Sequence, residues 1–164
     1  MGALNQLADR WRHRLMGIVS DDFTSHMQRV GVSYVDVKIT AAELDALNAT
    51  PKELVAAPGS GKILECLGIL AKLDFQATGL ELGSGTLDCR YQNSSGGLAA
   101  QITNAFTEGA ADAYYKAVGR DVVALVNQAL VLHASADVTA GDSILYLRVY
   151  YRTVAAVEVD PSVL

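Results

Sequence analysis

The stretch A-A-P-G-S-G-K-I at residues 56–63 is where residue types and spacing come closest to a reactive site. A phosphate-cradling loop needs glycines so that backbone N–H groups can surround a phosphate, a lysine to reach its outer oxygens, and a following Ser or Thr to hold magnesium. Here the opening glycine is Ala56, and the residue after Lys62 is Ile63. Residues 62–75 then alternate as a strand, with Leu67, Ile69, Ala71, Leu73 and Phe75 on one face, where the loop would need a helix N-terminus. The segment reads as a glycine-rich hairpin turn, and no cofactor is expected.

The other reactive side chains are dispersed. G-S-G at 59–61 and again at 83–85 lacks the G-x-S-x-G spacing of a nucleophile elbow. His13, His26 and His133 share no ligand spacing, and His133 alternates within an apolar run, which makes it a core or interface residue. Cys66 and Cys89 fit neither a C-x-x-C nor a Cys/His metal pattern. Both are expected as buried thiols, a cross-strand bridge being the alternative. Asp74 and Asp88 are placed to meet across strands, but paired carboxylates do acid/base work only in a cleft of suitable width. No catalytic residue and no metal ligand is assigned, and the chain is read as non-enzymatic.

Composition narrows the partners. At 164 residues the chain fits one domain able to bury about two thirds of its unfolded surface. A net charge of −5 argues against a general phosphate-binding surface, so nucleic acid is not an expected partner. The longest uncharged run, residues 122–136, contains Asn127, Gln128 and His133 and falls short of about 18 clean apolar residues. Residues 15–19, between Arg14 and Ser20, are too short for a signal core. A soluble protein with no membrane partner is expected.

Strand periodicity dominates the remainder. In S-I-L-Y-L-R-V-Y-Y-R-T-V at 143–154, Leu145, Leu147, Val149 and Tyr151 fall on one side, and Tyr146, Arg148, Tyr150 and Arg152 on the other. Val35, Val37 and Ile39 alternate with Tyr34, Asp36 and Lys38 in a first strand. T-A-A-E at 40–43 is a capping box opening a short helix that Asn48 and Pro51 end. Further strands are expected at 52–57, 62–75 and around Leu87, Cys89 and Tyr91, with apolar runs at 122–126 and 129–134. Residues 98–115 allow a short helix that Gly109 limits. Short strands at this spacing predict a mainly β protein, a jelly-roll-like antiparallel β-sandwich over residues 32–156.

Residues 1–31 differ in kind and read as a helical arm. Leu4, Leu7, Ala8, Trp11, Leu15 and Ile18 recur at three- and four-residue steps. Four arginines against three aspartates give this segment +1, while residues 32–164 hold nine Lys/Arg against fifteen Asp/Glu, or −6. Two readings stand: the stripe packs on the chain's own sheet, or it docks on another subunit. In the second, Leu4, Arg10, Trp11, Arg14 and Leu15 are the partner-binding residues, since Trp and Arg dominate interface energetics. Residues 157–164 read as a C-terminal tail.

Two runs carry a resemblance. I-T-A-A-E-L-D-A-L-N-A-T-P-K-E-L-V-A-A-P-G-S-G-K at 39–62 resembles the opening of a family of small virion proteins of tailed bacteriophages and prophages. N-Q-A-L-V-L at 127–132, followed by D-V-T-A-G-D-S-I-L-Y-L-R-V-Y-Y-R at 137–152, resembles its close. The resemblance implies a capsid decoration or cement protein: a jelly-roll module that sits as a homotrimer on the outer head shell and clamps major capsid subunits. Such proteins begin near the first strand, so residues 1–31 depart from the pattern. The alternatives are a tail, fibre or other minor virion component that binds a receptor or a neighbouring virion protein, and a sugar-binding or metal-dependent jelly-roll enzyme.

Overall fold

Alternating apolar side chains set out eight strands in the computed structural model, which describes residues 31–120, 126–139 and 141–156. They are β1 (Val32–Ile39), β2 (Lys52–Val55), β3 (Lys62–Asp74), β4 (Thr86–Tyr91), β5 (Leu98–Thr103), β6 (Ala113–Val118), β7 (Leu130–Ala134) and β8 (Ile144–Ala155). The expected arm, apart from Gly31, and the tail at 157–164 lie outside the described residues, as does the apolar run 122–126 except for Val126.

The strands form two antiparallel four-stranded sheets, ordered β1-β8-β3-β6 and β2-β7-β4-β5. Strand pairs β1·β8, β2·β7, β3·β6 and β4·β5 are all present, so the eight strands make one long ribbon rolled on itself, with β3·β8 and β4·β7 closing the roll. This is the expected jelly roll. The inner faces supply the core: Leu64, Ile69, Leu73, Leu145 and Val149 from the first sheet meet Leu87, Ile102, Leu130 and Leu132 from the second, all essentially inaccessible to solvent.

One bulge corrects the expected pattern in β3. Alternation puts Leu67 on one face with Ile69, Ala71 and Leu73, but Cys66 pairs with Tyr151 and Gly68 with Tyr150, leaving Leu67 as the extra residue. Two residues opposite one partner reset the phase, so Leu64 and Cys66 point inward before the bulge and Ile69, Ala71 and Leu73 after it. Gly68 sits at φ +153°, and a Cβ there would lie 2.7 Å from the Ala117 carbonyl oxygen. Only glycine fits there without moving β6. The strand ends at Asp74, one residue before the expected Phe75, and β2 ends at Val55 rather than residue 57.

Helix α1 (Ala41–Ala46) carries the chain from the first sheet to the second and seals the join with Leu44 and Leu47, both fully buried. The capping box is formed: Glu43 N–H donates to Thr40 Oγ1 at 3.4 Å, and Thr40 N–H donates to Glu43 Oε2 at 2.9 Å. The Lys52 ammonium and then the Thr40 backbone N–H hold the Glu43 carboxyl at about 2, below its ordinary 4.5. A carboxylate whose folded value is depressed stabilises the fold above the unfolded value and loses that contribution as pH falls through the folded one. Because this side chain is 42% exposed, solvent screening leaves a contribution of about 1 kcal/mol. Glu43→Gln is expected to be about 1 kcal/mol less stable at pH 7, with the gap closing between pH 4.5 and about 2. Urea midpoints across that range test this, and a gap independent of pH would discard the charge as its cause.

Two polar features sit between the sheets. The Tyr91 hydroxyl, on β4, donates to the Leu64 carbonyl at 3.0 Å and accepts from Cys66 N–H at 3.4 Å, so a second-sheet side chain bonds to the first-sheet backbone. Burial pushes its phenol above the usual value and keeps it a donor. Cys66 and Cys89 are free, buried thiols that face each other from opposite sheets. Their shared hydrogen bond and burial raise the Cys89 thiol, which stays protonated.

Candidate interaction surface

The outer face of the first sheet follows from the same alternation read in its polar phase. Tyr34, Asp36 and Lys38 come from β1, Tyr146, Arg148, Tyr150 and Arg152 from β8, Leu70 and Lys72 from β3, and Tyr114, Lys116 and Val118 from β6. Register sets their rows. Lys72 stands opposite both Tyr146 and Tyr114, Leu70 opposite Arg148 and Lys116, and Gly68 opposite Tyr150 and Val118. Six large apolar side chains are markedly exposed among the described residues, and five of them, Tyr34, Leu70, Tyr114, Val118 and Tyr146, lie on this face. That concentration marks the face as an interaction surface, since scattered single residues would need no explanation.

Electrostatics organise the rings. Arg148 donates through Nε and Nη2 to the two Asp36 oxygens at 2.7 and 2.8 Å, and its guanidinium lies 4.5 Å from the Tyr34 ring centroid. The hydrogen bond from Arg148 lowers the Asp36 carboxyl, and that to Asp36 raises Arg148. Tyr146 has the ammonium groups of Lys38 at 5.9 Å and Lys72 at 5.8 Å from its ring centroid. Tyr34 and Tyr150 rings lie 6.3 Å apart. Arg152 pairs with Glu65, and Lys72 is 3.9 Å from Asp74 and 3.8 Å from Asp112. A shallow depression of about 390 Å³ runs between Lys38, Leu70, Lys72, Tyr114, Tyr146 and Arg148. Rigid phenol rings held by cations form a surface that loses little side-chain freedom when covered.

The outward side of the second sheet has a different character. Asp88 is only 2% exposed, and its carboxylate accepts from Thr86 Oγ1 at 2.8 Å, Gln101 Nε2 at 3.0 Å, and Arg90 Nε and Nη2 at 3.2 and 2.7 Å. Those four bonds fill its acceptor sites. Asp88 stands opposite His133 and Gln101, while Asp74 is in the other sheet opposite Ile144, so the expected meeting of Asp74 and Asp88 does not occur. Two sheets, not one, separate them. His133 has a buried Nδ1 without a hydrogen-bond partner among the described residues. No group of three or more His, Cys, Asp or Glu able to hold a metal occurs among the described residues. No described helix is long and apolar enough to cross a membrane.

At residues 56–63 the structure has the predicted turn. Gly59 and Gly61 take positive φ, Lys62 N–H donates to the Gly59 carbonyl, and Lys62 opens β3 rather than a helix. The partner-binding residues expected from sequence, Leu4, Arg10, Trp11, Arg14 and Leu15, lie outside the described residues. Sequence reasoning left the sheet face unassembled. The signal for it was present in the tyrosine and Lys/Arg residues sharing the polar phase of β1, β6 and β8, but the rows required the register.

No protein-family model matches the chain, and no curated protein does. Among solved structures it is similar to a chain of the cyanophage Pam1 capsid asymmetric unit, at 17% identity and a TM-score of 0.44, over 74% of this chain and 82% of that one. The jelly-roll assignment rests on the strand order alone.

Proposed function

We propose that the protein is a non-enzymatic structural component of a tailed-phage virion. In this reading it is a homotrimer, made in the host cytoplasm, that binds the outer capsid surface and stabilises the head lattice as a decoration or cement protein. The observation that carries the reading is the gathering of exposed tyrosines and cations on one sheet face of a jelly roll. The runs at 39–62, 127–132 and 137–152 support it by their resemblance to virion proteins of this kind.

The partner is the major capsid protein or another virion protein, not nucleic acid or a membrane. Residues 1–31 are assigned the capsid contact, with Trp11, Arg10 and Arg14 as anchors and Leu4 and Leu15 completing the apolar stripe. A ligand that binds only the assembled lattice stabilises it by mass action, without any reaction. Copy number in purified particles is the test. A shell-wide clamp is expected in hundreds of copies, as the symmetry of the lattice dictates. A handful of copies at one vertex would replace it with a tail or fibre component. Removing residues 1–31 is expected to abolish head binding, and undiminished binding would remove the arm from the assignment.

A further inference from the structure

The jelly roll segregates its charge. Lys38, Lys72, Lys116, Arg148 and Arg152 against Asp36, Glu65 and Asp74 give the outer face of the first sheet a formal +2 on a chain of −5. The connections at 40–51, 75–85, 104–112 and 135–143 all lie at one end of the sandwich, because β1, β3, β5 and β7 run towards it. Those connections contain Glu43, Asp45, Glu81, Glu108, Asp112, Asp137 and Asp142 and no lysine or arginine, a formal −7, of which Glu43 pairs with Lys52 at the start of β2 and Asp112 lies near Lys72. All other residues together sum to zero. Among the described residues no carboxylate lies within ion-pair distance of Lys38 or Lys116, and no cation lies within that distance of Glu81 or Asp137.

We infer that the tyrosine-rich sheet face seats the acidic loop end of a second copy of this chain. A two-fold, face-to-face contact would bring Lys38, Lys72 and Lys116 against their own kind, and like charges across an interface oppose association. Face against end brings +2 to −7 and covers Tyr114, Val118 and Tyr146 together. Such a contact joins different patches on the two copies, so it propagates into a closed ring when the rotation closes. The inference rests on the proposed oligomeric state and names the surfaces that make it.

Sedimentation velocity of the full chain tests it. The wild type is expected to form a discrete oligomer that loosens as salt rises through the range that screens surface charge. Lys38→Glu with Lys116→Glu, and separately Glu81→Lys with Asp137→Lys, should each weaken association by about tenfold or more. In the chain carrying all four changes the face is −2 and the end −3, so like charges meet and association should stay at least about tenfold weaker than wild type. All four positions are exposed, and unchanged urea midpoints confirm that the variants fold. A monomeric wild type, salt-independent assembly, end substitutions without effect, or association at the wild-type level in the fourfold variant would each overturn the contact. Copy number on particles decides the virion role separately, so either idea can fail alone.

Discussion

Arg90→Met is expected to lower folding stability by about 3 kcal/mol, an effect of the size seen when one partner of a buried ion pair is removed. Asp88 is 2% exposed, and two of its four hydrogen bonds come from Arg90. Thr86 and Gln101 would remain as donors, but neither carries charge. Arg90 also donates through Nη1 to the Gly96 carbonyl at 3.0 Å, tying β4 to its own hairpin, so the substitution frees that turn as well. Asp88→Asn in the same chain removes the stranded charge while keeping an oxygen for Thr86, and is expected to restore all but about 1 kcal/mol. Urea unfolding of the two variants reads this. An Arg90→Met midpoint equal to wild type would show that water, not arginine, solvates the carboxylate.

Leu132→Ala is expected to cost a similar amount, about 3 kcal/mol, for a different reason. Leu132 is fully buried on the inner face of β7, between β2 and β4, with Cys89 and Lys52 as its register partners. Truncation loses the transfer free energy of the removed carbons and leaves a cavity that two sheets, pinned on both sides, cannot close. For a domain of this size the loss corresponds to a fall in Tm of about 10 °C. Leu132→Met preserves volume and should stay within about 1.5 kcal/mol. Calorimetry on the pair separates packing from hydrophobicity, and equal Tm values for the two variants would show that the site collapses around alanine.

How much of this was legible in the sequence varies by residue. β8 is plain because Leu145, Leu147 and Val149 alternate without interruption, and α1 because Thr40 and Glu43 stand three apart. The bulge at Leu67 is hidden, since an extra leucine in an apolar run changes phase without changing composition. Asp88 reads as an ordinary outward residue of β4; only the tertiary arrangement shows Arg90, Thr86 and Gln101 closing over it. The interaction face is half legible. Alternation assigns Tyr34 and Tyr146 to polar phases, but Tyr114 falls in a stretch that reads as ambiguous, and their joining into one surface depends on β1 and β6 flanking β8 and β3, an order that is a property of the roll.

The rolled ribbon also governs how the chain reaches its native state. Its two ends are β1 and β8, and the Asp36–Arg148 bond spans 112 residues, whereas β4 and β5 are joined by a tight hairpin. Loop-closure entropy therefore favours the hairpin first and the outermost pair last. β8 lies in the middle of the first sheet, so that sheet cannot be completed until Ile144–Ala155 has left the ribosome. Strand pairings this distant in sequence slow folding, and the nascent protein must keep β1 and β3 from pairing elsewhere in the meantime.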